Sequence, residues 1–341
     1  MKFMFILLVL LLGGSAKAND IVDVHGVNHH VAKEIKKRYE KRVQHIETKL
    51  MKEFSTVGAN VQNPQRVQQW LNQKNQLVQE IKQHGHFAFV DLQTVNYPGK
   101  KNIYTTIEIV QSNQKNRLSF IPPKTYQSTG PKRHDLIELM IVYQHKAMRL
   151  LMSNQLDLHD QTCPVYHCTV PFTHPTLKPY LALFNQGVIH EKPLIIETLN
   201  HDKNPERRAA AAFLVGHFHD PHEIITLLLP HVTDQHDGVR NNVLRVIGET
   251  IARAHITEIN ALPFLTLLDS PYVTDRNKAL LVLLTMADSE YGKKQIIKHG
   301  RARLLTLHHL KQPNNHDIAE MILKKTGLRT GLHSHGSESN G

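Results

Sequence analysis

The pattern of hydrophobic and polar residues predicts a mixed α+β arrangement in the first part of the chain. Apolar residues recur at three- and four-residue spacing over 27–54 and over 63–84, which predicts two amphipathic helices. Alternation over 87–93 and a segment rich in threonine and isoleucine over 103–110 predict a β-hairpin. The segment 118–121 is the candidate for a third strand.

Helical spacing resumes over 134–154 and dominates the rest of the chain. From 204 to 327 one helical pattern is repeated, and its copies align on Arg208, Arg240 and Arg276, which are 32 and 36 residues apart. A weaker fourth copy aligns on His316, 40 residues further on. Repeats of this length stack side by side, because a single helix pair cannot bury its apolar face alone.

An aspartate precedes each aligned arginine, so the predicted unit is a helix, an aspartate-containing turn and a second helix. The aspartates are Asp202, Asp234 and Asp269. In the second copy, residues at helical spacing are expected to face the core, namely Val239, Val243, Leu244, Ile247 and Ile251. The alanines at 209–212 would let neighbouring helices approach closely, since methyl groups leave little bulk where helices cross.

This pattern of an aspartate, five residues, an arginine and an apolar run ending in glycine resembles HEAT repeats over 188–327. The resemblance implies a mainly α fold of exported bacterial type, with a HEAT-like α-solenoid that binds proteins along one face. It also implies that the aspartates and arginines tie adjacent turns together. The third copy departs from the pattern, with Leu284 where the first two have Gly216 and Gly248. The fourth copy lacks the arginine and is expected to act as a cap.

The start of the chain predicts export. Lys2 precedes an unbroken apolar stretch over 4–12, and Ala16-Lys17-Ala18 is a small-x-small site, so a secretory signal cleaved after Ala18 is expected. The stretch is too short for an ordinary membrane span, although an uncleaved anchor is the alternative. The mature chain is expected to have no transmembrane segment and to be periplasmic or secreted.

The sequence therefore predicts five segments along the chain. They are a signal peptide at 1–18, an α+β N-terminal domain at 19–160 with a long first helix and the hairpin, a cysteine-containing connector at 161–187, HEAT-like repeats at 188–327 and a disordered tail at 328–341. Whether the N-terminal portion folds alone or packs on the first repeat is open at this point.

Composition narrows the expected partners. The formal net charge of +11 favours acidic partners such as acidic proteins or anionic envelope polymers. Nucleic acid is not expected, because the chain is predicted to be exported. Aromatic residues make up 6% of the chain, and the predicted sheet shows no stacking platform for single strands.

Cys163 and Cys168, the two cysteines of the chain, are expected to form a disulfide. An exported protein meets an oxidising environment, where a close pair of this kind tends to become oxidised. The alternative adds His159 and His167 to make a four-ligand zinc site. Four ligands crowded into ten residues depart from the usual paired spacing of zinc sites, so the disulfide is favoured.

The 25 histidines raise a second alternative. His217, His219 and His222 cluster at the junction of the first two repeats, and imidazole is a good ligand for first-row metals. A solvated, histidine-rich turn is favoured over a metal site, because nothing in the sequence makes these side chains converge. No cofactor is expected.

The pattern favours a non-catalytic scaffold that binds another protein through the repeats. Asn242, Arg245 and Glu249 fall outside the apolar pattern of their helix and form a stripe that is expected to be exposed and to bind the partner. A metal binder or metalloenzyme built on the histidines is the alternative function. The sequence contains no His-Glu-x-x-His helix and no Gly-x-Ser-x-Gly elbow.

Overall fold

The computed structural model describes residues 20–55, 63–97, 102–118, 135–157, 160 and 162–328. The predicted signal peptide lies outside the described residues, as does the predicted tail beyond residue 328. The described part of the chain is mainly α-helical and contains one small β-sheet, as the sequence predicts. Within that part, no helix combines the length and the apolar character that a membrane crossing requires.

The sheet has three strands in the order β1 (Asp20–His25), β3 (Ile103–Val110) and β2 (Phe89–Asn96). Strands β2 and β3 pair antiparallel, which confirms the predicted hairpin. The third strand is β1, which pairs parallel with β3. The prediction of a third strand at 118–121 is wrong at Leu118, which ends a 3-10 helix spanning Ser112–Leu118, while 119–121 lie outside the described residues.

Both predicted N-terminal helices are confirmed, as α1 (His29–Ser55) and α2 (Pro64–His84). The side chain of Asn63 accepts a hydrogen bond from the backbone N–H of Arg66 at 3.0 Å, which caps the first turn of α2. The two helices provide the crossover that a parallel β1–β3 pair requires. Their apolar sides and the sheet share one core, which includes Tyr39, Val43, Leu77, Ile81, Leu92, Ile107 and Ile109.

The remaining α-helices lie between residues 136 and 325. They are α3 (Leu136–Met152), α4 (Lys178–His190), α5 (Lys192–His201), α6 (Pro205–Val215), α7 (Pro221–Leu228), α8 (Asp237–Ala254), α9 (Leu262–Leu267), α10 (Val273–Met286), α11 (Glu290–His308) and α12 (Pro313–Lys325). The four repeated units thus consist of α5 and α6, α7 and α8, α9 and α10, and α11 and α12. Proline opens α6 and α7, where Asn204 and Asp220 cap the first turn.

The second helices of successive units pack against one another. Helix α6 contacts α8, α8 contacts α10, and α10 contacts α12. Helix α3 also contacts α6, and its apolar residues belong to the same core as the repeats. The core of the α+β part contains no residue of α3, although the predicted N-terminal domain extends to residue 160.

Buried arginines connect neighbouring repeated units. Arg208 on α6 donates to both carboxylate oxygens of Asp234, at 2.8 and 3.0 Å, and to the backbone oxygen of Asp202. Arg240 on α8 donates to the carboxylate of Asp275 on α10 at 3.0 Å and to the backbone oxygen of Asp234 at 2.7 Å. Each guanidinium therefore binds its own turn through a carbonyl and the next unit through a carboxylate.

The third arginine, Arg276, binds a carboxylate outside the repeated units. Arg276 donates to the carboxylate of Glu108 on strand β3 at 2.9 Å, and both side chains are 0% exposed. It also donates to the backbone oxygen of Ser270 at 2.7 Å, as its two equivalents do in their own turns. The sheet thus docks on the third unit, and it also reaches the fourth, where the backbone N–H of Lys311 donates to the carboxylate of Asp23 on β1. Asp269, the aspartate that precedes Arg276 in the aligned pattern, accepts a hydrogen bond from Arg303 on α11 at 2.7 Å.

Candidate functional site

Equivalent positions on the second helices bring four side chains onto one surface. The residues five positions after 208, 240, 276 and 316 are Phe213, Arg245, Leu281 and Met321. Leu281 and Met321 are 40% and 47% exposed, Arg245 is half-buried and Phe213 is buried. The guanidinium of Arg245 lies 5.7 Å from the centre of the Phe213 ring, so the first two side chains of this series are in contact. We call these four residues the second-helix face.

The predicted binding stripe is less exposed than expected, because Asn242, Arg245 and Glu249 are each half-buried. Asn242 donates a hydrogen bond from its side chain to the backbone oxygen of Ala209 on α6 at 3.0 Å. Glu249 pairs with the ring of His167 at 3.0 Å. Because Arg245 also lies over the Phe213 ring, all three predicted residues contact other elements of the chain.

Residues 162–168 of the connector, which lie between α3 and α4, cover part of the second-helix face. The backbone N–H of Tyr166 donates to the backbone oxygen of Gly216 at 3.1 Å. The ring of His167 lies 4.6 Å from that of Phe213, which explains why this phenylalanine is buried. Arg253 on α8 donates to two backbone oxygens of the connector, those of residues 163 and 165, at 2.7 and 3.0 Å.

The two cysteines lie in this connector and are bonded to each other. Their Sγ atoms are 1.96 Å apart, which confirms the predicted disulfide bond. Sulfur atoms joined in this way are not thiolates, which are the form that binds zinc. Of the two histidines in the zinc alternative, His167 contacts Glu249, and His159 lies outside the described residues.

The electrostatics around His167 keep its ring neutral. Burial lowers the pKa of His167, and the charges of Arg245 and Lys278 lower it further, against the opposing effect of Glu249. Burial opposes ionisation of Glu249, but its close contact with His167 and the nearby charges of Arg245 and Arg253 outweigh this effect and lower its pKa. A neutral imidazole therefore faces an ionised carboxylate.

Among the residues that the structure describes, neither Arg245 nor Lys278 has a direct acidic partner. Neither side chain makes a hydrogen bond or ion pair there, although Arg245 lies over the Phe213 ring, and both are half-buried. Burial and the Arg245 charge lower the pKa of Lys278 to about 8. Burial also lowers the pKa of Arg245, while Glu249 raises it. Two neighbouring cations are thus only partly balanced by Glu249.

The three clustered histidines have different environments. His217 is buried, and its Nδ1 lies 2.9 Å from the side-chain oxygen of Asn185. Burial and the adjacent His167 lower the pKa of His217 to about 3. His219 and His222 are exposed. Among the residues whose structure is described, no three histidine, cysteine, aspartate or glutamate side chains are grouped as metal ligands.

Helical spacing within one helix does not point to Lys278, which lies on α10 rather than on α8. The alignment of the repeats could have found it, because Lys278 and Asn242 each lie two positions after the aligned arginine. The site thus consists of the second-helix face, the connector that covers its first part, and the Arg245–Lys278 pair. Comparison of the chain with protein-family models, with curated proteins and with solved structures finds no match.

Proposed function

We propose that the chain is an exported, non-catalytic scaffold that binds an acidic protein through the second-helix face of HEAT-like repeats. The observation that carries this proposal is the pair of half-buried cations, Arg245 and Lys278, next to the exposed side chains of Leu281 and Met321. A cationic centre with apolar neighbours offers a protein partner both a charge contact and a surface to bury.

The energetic argument rests on desolvation. A half-buried cation has lost part of its hydration, and an ion pair formed in that environment is stronger than one in bulk water. A carboxylate of a partner would balance the two charges, while apolar contacts with Leu281 and Met321 would stabilise the complex by about 25 cal/mol per Å² of buried apolar surface. Cleavage after Ala18 removes Lys2 and Lys17, which lowers the formal net charge from +11 to +9, and this positive charge would accelerate the approach of an acidic partner.

Two further features support export and the HEAT-like arrangement. A disulfide between Cys163 and Cys168 suits an oxidising compartment outside the cytoplasm. The side-by-side packing of α6, α8, α10 and α12 suits stacked repeats, because each helix buries its apolar side on the next. N-terminal sequencing of protein recovered from the envelope or medium tests the export step, since cleavage after Ala18 would leave Asn19 first.

Partner capture from envelope extracts tests the binding proposal. Three baits are compared: the mature chain, Lys278→Glu and the control Lys298→Glu. Lys298 is a suitable control because it is an exposed lysine on α11, the first helix of the fourth unit, and its replacement gives the same charge change. We expect Lys278→Glu to lose a captured acidic protein that Lys298→Glu retains, with unchanged circular dichroism for both. Equal capture by the two variants would place the binding surface elsewhere.

A further inference from the structure

The connector shows how the second-helix face binds a segment of chain that is neither helix nor strand. Residues 162–168 lie on α6 and α8 without regular secondary structure. Their backbone is held by the oxygen of Gly216 and by Arg253, and one side chain, His167, packs on Phe213. Backbone hydrogen bonds therefore hold the segment, together with the packing of His167, Tyr166 and Cys168 against the helices.

The positions that continue this surface on α10 and α12 are partly exposed. Leu281 and Met321 are equivalent to Phe213, which lies beneath the connector, and they are 40% and 47% exposed. Lys278 is equivalent to Asn242, and it adds a positive charge where the earlier unit has a neutral amide. The surface beyond the connector thus differs from the covered part by having an extra cation and exposed apolar side chains.

We infer that the partner binds as an extended segment over α10 and α12, with one carboxylate at Arg245 and Lys278 and one apolar side chain on Leu281 and Met321. This inference rests on the proposed function and specifies the partner's chemistry. Lys278 and Leu281 lie three residues apart on α10, so they are neighbours on one side of the helix. The acidic and apolar residues of the segment are therefore expected to be close in sequence.

The charges at the site favour a carboxylate over a phosphate. The side chains that act on Lys278 are Arg245 and Glu249 from α8, and Lys278 in turn acts on His167 of the connector. With His167 neutral, these side chains carry two positive charges and one negative charge. A single carboxylate would bring the sum to zero, whereas a doubly charged phosphate would leave an excess negative charge beside Glu249.

The site also predicts how binding depends on pH. Lys278 must be protonated to bind a carboxylate, and its pKa in the free protein is about 8. Binding of an anion stabilises the protonated form, so complex formation takes up a proton above that pKa and weakens as the pH rises. Arginine keeps its charge throughout this range, so Lys278→Arg is expected to remove the dependence.

A synthetic peptide array tests the inference with the full mature protein at pH 7. Each peptide carries one glutamate and one leucine at a defined spacing in a glycine-serine background, and matched peptides carry phosphoserine or glutamine in place of glutamate. We expect the strongest binding from glutamate peptides with close spacing. Lys278→Gln and Leu281→Ser should each weaken it about tenfold, a loss of about 1.4 kcal/mol, whereas Lys298→Gln should not.

Calorimetric titration of the best peptide at several pH values completes the test. Affinity for the wild-type protein should fall about threefold or more between pH 7 and pH 9, and affinity for Lys278→Arg should stay constant. Preference for phosphoserine would overturn the carboxylate assignment, and a wild-type affinity that does not change with pH would overturn the role of Lys278. If no peptide binds while Lys278→Glu still abolishes capture of a folded partner, the extended segment is refuted and the proposed function stands.

Discussion

The buried pair of Glu108 and Arg276 leads to a prediction about stability. Glu108→Ala leaves the Arg276 guanidinium fully buried, with hydrogen bonds to the backbone oxygen of Ser270 and the side chain of Asn315 but without a counterion. Removing one partner of a buried ion pair typically costs about 3–5 kcal/mol, because the remaining charge stays desolvated. Since native domains are stable by about 5–15 kcal/mol, this variant should lose a large part of its stability.

Urea unfolding followed by circular dichroism measures the loss. The control is Arg303→Ala, which breaks the 2.7 Å pair with Asp269, whose side chains are 36% and 43% exposed. An exposed pair contributes about 0–1 kcal/mol, so the control should unfold near the wild-type midpoint. Glu108→Gln keeps an acceptor oxygen for the guanidinium and should fall between the two.

A double replacement distinguishes the pair from simple loss of packing. Glu108→Leu with Arg276→Met removes both charges and should be more stable than Glu108→Ala, although the oxygen of Ser270 then loses a donor. If Glu108→Ala and Arg303→Ala lower the free energy of unfolding by the same small amount, the reasoning is refuted. A loss confined to an early, separate transition of the α+β part would also contradict it, because the pair joins both parts.

Three further predictions concern other parts of the chain. Gly26→Ala should destabilise by more than about 2 kcal/mol in thermal unfolding. The reason is that the φ of Gly26 is +94° and a Cβ there would lie 1.9 Å from a backbone oxygen of β3. The control Gly327→Ala should lower the free energy of unfolding by only about 1 kcal/mol, because Gly327 has a φ of +69° but no neighbour within 4 Å of an added Cβ. Cys163→Ser with Cys168→Ser should lower the free energy of unfolding by about 2 kcal/mol, and unreduced wild-type protein should show no free thiol by mass spectrometry. Burial raises the pKa of Asp20 from 3.8 to about 7, so the native chain keeps a proton that the unfolded chain releases. Its contribution to stability should fall as the pH rises through that interval. In unfolding measurements, the free energy of unfolding of Asp20→Asn should exceed that of the wild type most above pH 7. Equal free energies of unfolding above pH 7 would count against this reasoning.

Local periodicity explains which elements could be predicted. The spacing of apolar residues in α1 and α2, and the proline and capping residues that open α2, α6 and α7, act within a few residues and are visible in the sequence. Strand β1 is different, because its six residues pair in parallel with β3, where Asp20 lies opposite Ile103. Its β-branched residues are a weak signal, and only the distant partner makes them a strand.

The exposure of the predicted stripe depends on neighbours that periodicity does not include. Spacing along α8 correctly places Val239 and Ile247 in the core, and it leaves Arg245 and Glu249 outside that core. Whether a residue outside the core is exposed to solvent depends on which other segments of the chain pack on the helix. Here the connector places His167 against Glu249, and this contact joins segments 82 residues apart. A pattern within one helix cannot show it.

The partner of Arg276 could not be predicted from local spacing either, and it links the fold to the proposed site. Arg208 and Arg240 each find a carboxylate in the next unit, but the fourth unit offers Arg276 only the neutral side chain of Asn315. A buried guanidinium with a neutral acceptor would remain unbalanced, so the carboxylate must come from another element, and β3 supplies it through Glu108. Arg276 lies two residues before Lys278 on α10. The α+β part therefore fixes the helix that carries the proposed carboxylate site, and a chain without the sheet would leave an uncompensated charge at the start of α10.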